Sequence, residues 1–362
     1  MTVKLLLSAS AVVCASLSTF TSVHAHEGDG GKVTYASDHA PIGVMADHRH
    51  NQGEWMVSYR YGYMDMEGNR DGTKSLSPET IATTIPNRFG MPPTLRVVPT
   101  QMDMKMHMVG AMYGLSDRIT LMGMGMYMSN DMDHITFSGG MGDRRLGNFT
   151  TKSNGFGDTT LGAIVGLDDG ADPHRQINLG VAVSLPTGSN TQTDTVLTPM
   201  NTTPDLRLPY PMQLGSGTWD AKPSLTARTR FGRWSIGGQA SAVLRLDTNK
   251  EGYQLGDKIE GTTWLAFEPK PSVSISGRVK ARSQGNISGI DPAIAAPVQT
   301  ADPENHGGEV VEALMGVNIA MSGNTLRGAR FAVEVGVPLY RNLNGPQLET
   351  DLTFTFGVQK AF

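Results

Sequence analysis

Two ladders of methionine are the first residues in this chain whose spacing could do chemistry. Met102, Met104, Met106 and Met108 alternate with Asp103, Lys105 and His107, and Met122, Met124, Met126 and Met128 alternate with Gly123, Gly125 and Tyr127. A strand repeats every two residues, so each set of four shares a face. Thioethers are soft ligands that suit Cu(I), and 21 methionines in 362 residues is well above ordinary usage. Methionine is also an apolar filler. Asp103, Lys105 and His107 cannot comfortably face hydrocarbon, which favours methionines turned to an apolar surround and the charged set turned away from it.

Asp47-His48-Arg49-His50 puts two imidazoles on one side of an extended segment, with His39 and His26 upstream. His39, His48 and His50 are therefore candidate ligands for Cu(II), Zn or Ni. The alternative is a solvated polar tether. Enzyme chemistry is disfavoured, because His107 has no serine at a convincing position and no nucleophile, metal or cofactor motif is present. No cofactor is expected.

The elements that would position these residues are strands. From Leu352 the chain alternates Leu352, Phe354, Phe356, Val358 and Phe362 against Thr353, Thr355, Gly357 and Gln359, with Lys360 interrupting the apolar face. This pattern, ending on Phe362, resembles the terminal strand by which bacterial outer-membrane barrels are recognised by the barrel-assembly machinery. Trp55, Val57, Tyr59, Tyr61 and Tyr63 alternate in the same way with Ser58, Arg60 and Gly62. Similar runs mark about twelve strands. Connections alternate between roughly two to seven and roughly 24 to 34 residues, except two of about eight after the seventh and eleventh strands, the segregation shown by barrels with long extracellular loops and short periplasmic turns. The fold class is all-β, a transmembrane antiparallel up-and-down β-barrel.

Residues 1–25 carry Lys4, an apolar run from Leu5 to Leu17 and a small-residue end at Val23-His24-Ala25, and read as a cleaved signal peptide. It holds the sole cysteine, Cys14, so the exported chain has no disulfide. Residues 26–53 form a polar, His-rich segment outside the barrel wall, and 54–362 the barrel. The long loops include 67–100, one ending at Gly155, and 187–216. Beyond the leader no apolar run reaches the roughly 18 residues of a helical span, and a net charge of −4 argues against nucleic acid.

With the apolar faces on lipid, the lumen receives Arg60, Asp103, Lys105, His107, Arg228, Arg230, Arg245, Glu260, Arg278, Lys280, Arg282, Glu312, Arg330, Glu334, Glu349 and Asp351. Arg278, Lys280 and Arg282 form a basic ladder that would select anionic solutes or pair with Glu260 and Glu312 on adjacent strands. The opposite charges next door favour pairing.

Asn178 to Gly188, Leu214 to Gly217 with Trp219-Asp220, and Gly328 to Phe362 (above all Val333 to Tyr340 and Asn344 to Leu348) resemble the meta-pathway phenol-degradation family of outer-membrane transporters. The resemblance implies a barrel in the outer membrane of a Gram-negative bacterium, passing small organic and often aromatic solutes. The rival reading is a metal-handling protein that binds or exports copper through the histidines and methionines; a third is a barrel without a pore. Lipid, the assembly machinery and a small solute are the expected partners, and the oligomeric state is open.

Overall fold

The computed structural model describes residues 35–168, 172, 174–321 and 328–362, so the expected signal peptide and His26 lie outside the described residues. Its strands are β1 (Trp55–Gly72), β2 (Lys74–Leu76), β3 (Val97–Ser116), β4 (Ile119–Phe137), β5 (Arg145–Phe156), β6 (Thr159–Gly166), β7 (Arg175–Leu185), β8 (Thr193–Thr195), β9 (Asp205–Arg207), β10 (Asp220–Phe231), β11 (Trp234–Arg245), β12 (Tyr253–Gln254), β13 (Lys258–Lys270), β14 (Val273–Gln284), β15 (Ser288–Gly289), β16 (Gly308–Ala320) and β17 (Ala329–Ala361). Eleven of them close an antiparallel ring, and β2 and β5 extend the sheet outside it. Closure satisfies the backbone groups that a bilayer cannot.

The last element is two crossings in one. Its first half pairs with β16 and its second half with β1. The chain reverses near Gly345, where φ of +71° suits glycine. The two halves are tied together by Arg330 to Gln359 at 2.8 Å, Arg341 to the Thr350 carbonyl at 2.6 Å, and Ala361 N–H to the Gly328 carbonyl at 3.0 Å. The eleven ring elements therefore make twelve crossings of the wall. Trp55 and Phe362 exchange both backbone hydrogen bonds at 2.9 Å across the closing seam.

Alternation decides the two faces of the wall. Val57, Leu121, Leu161, Val181, Ile259 and Leu265 are exposed on the outside, whereas Arg60, Thr226, Arg228, Arg278, Glu312 and Glu334 are buried within. The periplasmic turns 117–118, 232–233 and 271–272 are tight. At the extracellular end the loops 187–216 and 285–307 fold over the mouth, burying Tyr210, Tyr253, Ile287, Ile294 and Val298 in one cluster.

Two loop expectations are corrected. Residues 67–100 are not wholly a loop, because β1 runs on to Gly72 and pairs with β2, the helix Pro78–Thr84 follows, and β3 begins at Val97. The loop placed before Gly155 is largely β5, paired with the upper part of β4 from Tyr127↔Phe156 to Phe137↔Arg145. These stretches carry polar residues on both faces, so no apolar alternation announced them.

Phe356 stands opposite Tyr61 on the outer face of the closing strand. Phe356→Asp puts a charge on the lipid face at a cost of about 2 kcal/mol, and deletion of Phe362 removes the last seam bonds. Both variants are expected to lower the fraction of folded, heat-modifiable protein on a gel. Wild-type yields from both would contradict the role of the seam.

Candidate functional site

Residues 35–54 are the centre of the site. The expected segment outside the wall is folded into the lumen, and the tether reading fails because Ala36, Ala40, Ile42 and Val44 are buried together with Asp47, His48 and His50. It starts at the periplasmic turn of β13 and β14, where Ala36 N–H donates to the Pro271 carbonyl at 2.8 Å. It ends at the opposite wall, where Gly53 N–H donates to the Gly114 carbonyl at 2.8 Å. Between these points its backbone answers wall side chains. Ser37 N–H donates to Glu268 at 2.8 Å and Gly43 N–H to Glu334 at 3.0 Å. The Ala40, Met45 and Asp47 carbonyls accept from Arg330, Gln239 and Asn178 at 2.5, 2.6 and 2.8 Å. Gly43 lies so close to Arg278 and Glu334 that a Cβ there would meet both at about 2.5 Å. Trp264, which sequence reasoning passed over, packs its inward ring on Ala40 and Val44.

Cross-strand register reverses the expected orientation of the methionines. Arg60 is buried inside and stands beside Met108, which stands beside Met126; the next rows are Gly62, Met106, Met128 and then Met64, Met104, Asn130. Directly paired residues share a face, so both ladders look into the lumen. Met56, Met112 and Met122 extend the face to the periplasmic end, and Met66, Met102 and Met132 carry it to the extracellular end. There Met102 and Met132 are buried with Leu208 and Met212 of the outer cap.

Lys105 and His107, expected in the lumen, therefore point outward with Asp103. Tyr59 Oη and His107 Nδ1 are 2.8 Å apart, and Tyr63 donates to Asp103. They lie six to ten residues above the Trp55–Tyr113 end of the wall, each beside an outward tyrosine or acid on a neighbouring strand. Asp351 also leaves the lumen. It falls at a bulge between the Asp65 and Met66 pairings and is exposed, bound to Arg341 at 3.0 Å.

The remaining candidates face inward except Glu349, which lies between the inward Leu348 and Thr350 and shares Arg341 with the exposed Asp351. Arg278 holds Glu334 with two hydrogen bonds of 2.8 Å, Lys280 meets Glu312 at 2.6 Å, Arg230 meets Glu268 at 3.0 Å and Arg70 meets Glu349 at 2.6 Å. Arg245 pairs with Asp220, and Arg282 stands opposite Glu260. The basic ladder is thus part of a cross-strand charge network. Arg60, Arg228 and Arg330 are buried around the inserted segment; Arg60 donates to the Met45 sulfur and Arg228 to the Ser37 carbonyl.

The imidazoles converge. The His39 and His48 rings are 4.5 Å apart and those of His48 and His50 are 5.0 Å apart. Ligand-capable atoms of His39, Asp47 and His48 lie within 4.8 Å of one another. Burial, reinforced by the charge of Arg330, holds His39 well below the ordinary imidazole range, and burial lowers His50 as well. Against the cost of its own burial, Asp47 is held well below the usual carboxylate range by His48. Asp47 and Glu54, which orient these rings, were not among the expected ligands; each is a carboxylate within four residues of a histidine, a signal present in the sequence.

A family model described as "Putative MetA-pathway of phenol degradation" matches residues 115–306, more than half of the chain. The stretch Gly328 to Phe362 lies beyond that match. Among solved structures, an outer membrane channel from Pseudomonas putida F1 superposes with a TM-score of 0.56 at 13% identity, covering 93% of this chain and 100% of that one. The toluene transporter TbuX of Ralstonia pickettii gives 0.45 at 10% identity over 86% and 90% of the two chains, and the toluene transporter TodX of P. putida gives 0.41 at 8% over 86% and 91%. The search among curated proteins returned no match.

Breaking the Arg278–Glu334 pair leaves a buried charge uncompensated, so Glu334→Gln is expected to cost about 3–5 kcal/mol and to lower the temperature at which the barrel loses its compact gel mobility. Met104, Met106, Met124 and Met126 changed together to Leu conserve volume and apolarity. Each of the four changes made singly should cost less than about 1.5 kcal/mol. The reverse order of stability would refute the division of the lumen into a charge network and a thioether face.

Proposed function

The chain belongs to this phenol-degradation family, and from that premise we propose that it is an outer-membrane channel for small, mainly apolar organic solutes, which travel along the methionine face. The single observation behind this reading is that face itself, a continuous inward surface of thioethers on β1, β3 and β4 from the periplasmic end to the outer cap. Unbranched thioethers adapt to different shapes and make favourable contacts of about 0.3–1.5 kcal/mol with aromatic rings. Contacts of that size, repeated, suit passage because a solute can both enter and leave. The luminal charges are paired with one another or with the inserted segment, which supports an apolar solute over an ion.

At the extracellular end, a cavity of about 60 Å³ is lined by His134, Phe149, Leu206, Leu208, Ile294 and Pro297 among others, with His134 stacked on Phe149 at 4.6 Å. Its apolar walls suit a flat ring on its way in. The segment 35–54 fills the periplasmic half, so passage requires it to move. Deleting residues 35–50 exposes Arg228 and Arg330 to water in a wider lumen, which offsets the loss of their carbonyl partners. In proteoliposomes the deletion is expected to raise conductance and phenol uptake several-fold over the intact barrel. Equal flux in the two proteins would refute the inserted segment as the barrier.

A further inference from the structure

We propose that His39, His48 and His50 form a copper(I) site inside the barrel, reached along the methionine face. This goes beyond the channel for organic solutes and does not depend on it.

The histidines are set up as ligands by their neighbours. Asp47 Oδ1 lies 2.8 Å from His48 Nδ1, and Asp47 Oδ2 accepts the Ala40 N–H at 2.9 Å, so both carboxylate oxygens are engaged. The tautomer that donates Nδ1–H to Asp47 leaves the His48 Nε2 lone pair free. His50 repeats the arrangement, with Nδ1 3.3 Å from Glu54 Oε1. A carboxylate behind an imidazole is the usual way of fixing its tautomer and raising its basicity towards a metal. His48 Nε2, His50 Nε2 and His39 Nδ1 are all buried and make no hydrogen bond. Three orphaned imidazole nitrogens on adjoining rings are costly unless something occupies them.

Two nitrogens at about 2 Å from one ion stand about 3.3–4 Å apart. One ligand-capable atom each of His39, Asp47 and His48 lies within a 4.8 Å envelope, and the His50 ring adjoins that of His48 at 5.0 Å, so ring rotation brings the three imidazoles to one ion. Asp47 thus acts as a positioning residue, with the histidines as ligands.

Imidazole alone suits copper, zinc and nickel. One feature singles out copper(I), the approach. The row Arg60, Met108, Met126 joins the methionine face to the inserted segment, where the Met45 sulfur touches Arg60. Neighbouring thioethers repeat about every 5 Å across strands and about every 7 Å along them, a series of weak soft sites that zinc does not use.

The test uses the full mature barrel, refolded with its inserted segment and held without oxygen. Copper(I) is presented as its bicinchoninate complex. One ion per barrel should withstand the chelator, and equimolar Zn(II) should not displace it. His39→Gln with His48→Gln should weaken retention at least tenfold in protein that still shows heat-modifiable mobility. Full retention by that variant, or displacement by Zn(II), overturns the site. Copper-edge absorption of the wild-type protein covers the case in which the variant fails to fold: imidazole scattering is expected, and a shell without it overturns the proposal. Changing Met106, Met108, Met126 and Met128 to Leu should keep the tight ion but slow copper(I) entry into vesicles at least tenfold; unchanged entry removes the methionine route. Phenol flux is scored on the same vesicles, so the channel and the copper site fail separately.

Discussion

The backbone of residues 37–47 hydrogen-bonds to the buried polar and charged side chains of the wall, and the rest of the lumen depends on that exchange. Arg228 and Arg330 reach the carbonyls of Ser37 and Ala40, while Glu268 and Glu334 receive the N–H groups of Ser37 and Gly43. A buried guanidinium or carboxylate without such partners costs several kcal/mol. Wall and inserted segment therefore need one another: the segment has no regular structure beyond the single turn Ala36–Asp38, and the wall charges have too few partners of their own. The backbone of the segment is satisfied by the same contacts, which is how irregular chain persists at membrane depth.

The lumen is consequently two-sided. Around β13, β14, β16 and β17 it is ionic and crossed by Arg278–Glu334 and Lys280–Glu312. Around β1, β3 and β4 it is a sheet of thioethers without luminal charge except Arg60. The ionic side anchors the segment through Gly43, whose lack of a side chain lets it settle on the Arg278–Glu334 pair. The thioether side offers few strong hydrogen bonds to the segment. The histidines sit where the segment turns back towards the wall at Thr120, whose hydroxyl accepts the His50 N–H at 2.9 Å.

The outer surface follows from the bilayer. Tyr59 and Tyr63 hand their hydroxyls to His107 and Asp103, and Lys105 lies 3.8 Å from Asp131. Each of these polar tips thus has a partner on a neighbouring strand.

Much of the fold was legible in the sequence. Alternation in Trp55 to Tyr63 and in Leu352 to Phe362 determined two strands with opposed faces, and the tight turns at 117–118 and 232–233 made β3 and β4, and β10 and β11, antiparallel neighbours. The pairing of Lys280 with Glu312 was legible too, because opposite charges recur at matching heights on adjacent runs. What alternation cannot contain is an absolute inside. Methionine is apolar enough for lipid and polarizable enough for a lumen, so the ladders of β3 and β4 have no preferred side until Arg60 and Met108 are placed in register, and only ring closure does that. Nor could a polar segment with no period reveal that it would be buried, since its burial rests on hydrogen bonds to side chains as distant in the chain as Glu268 and Arg330. The periodicity of a strand is local and determined the wall; the contents of the lumen are long-range, and only the tertiary structure decided them.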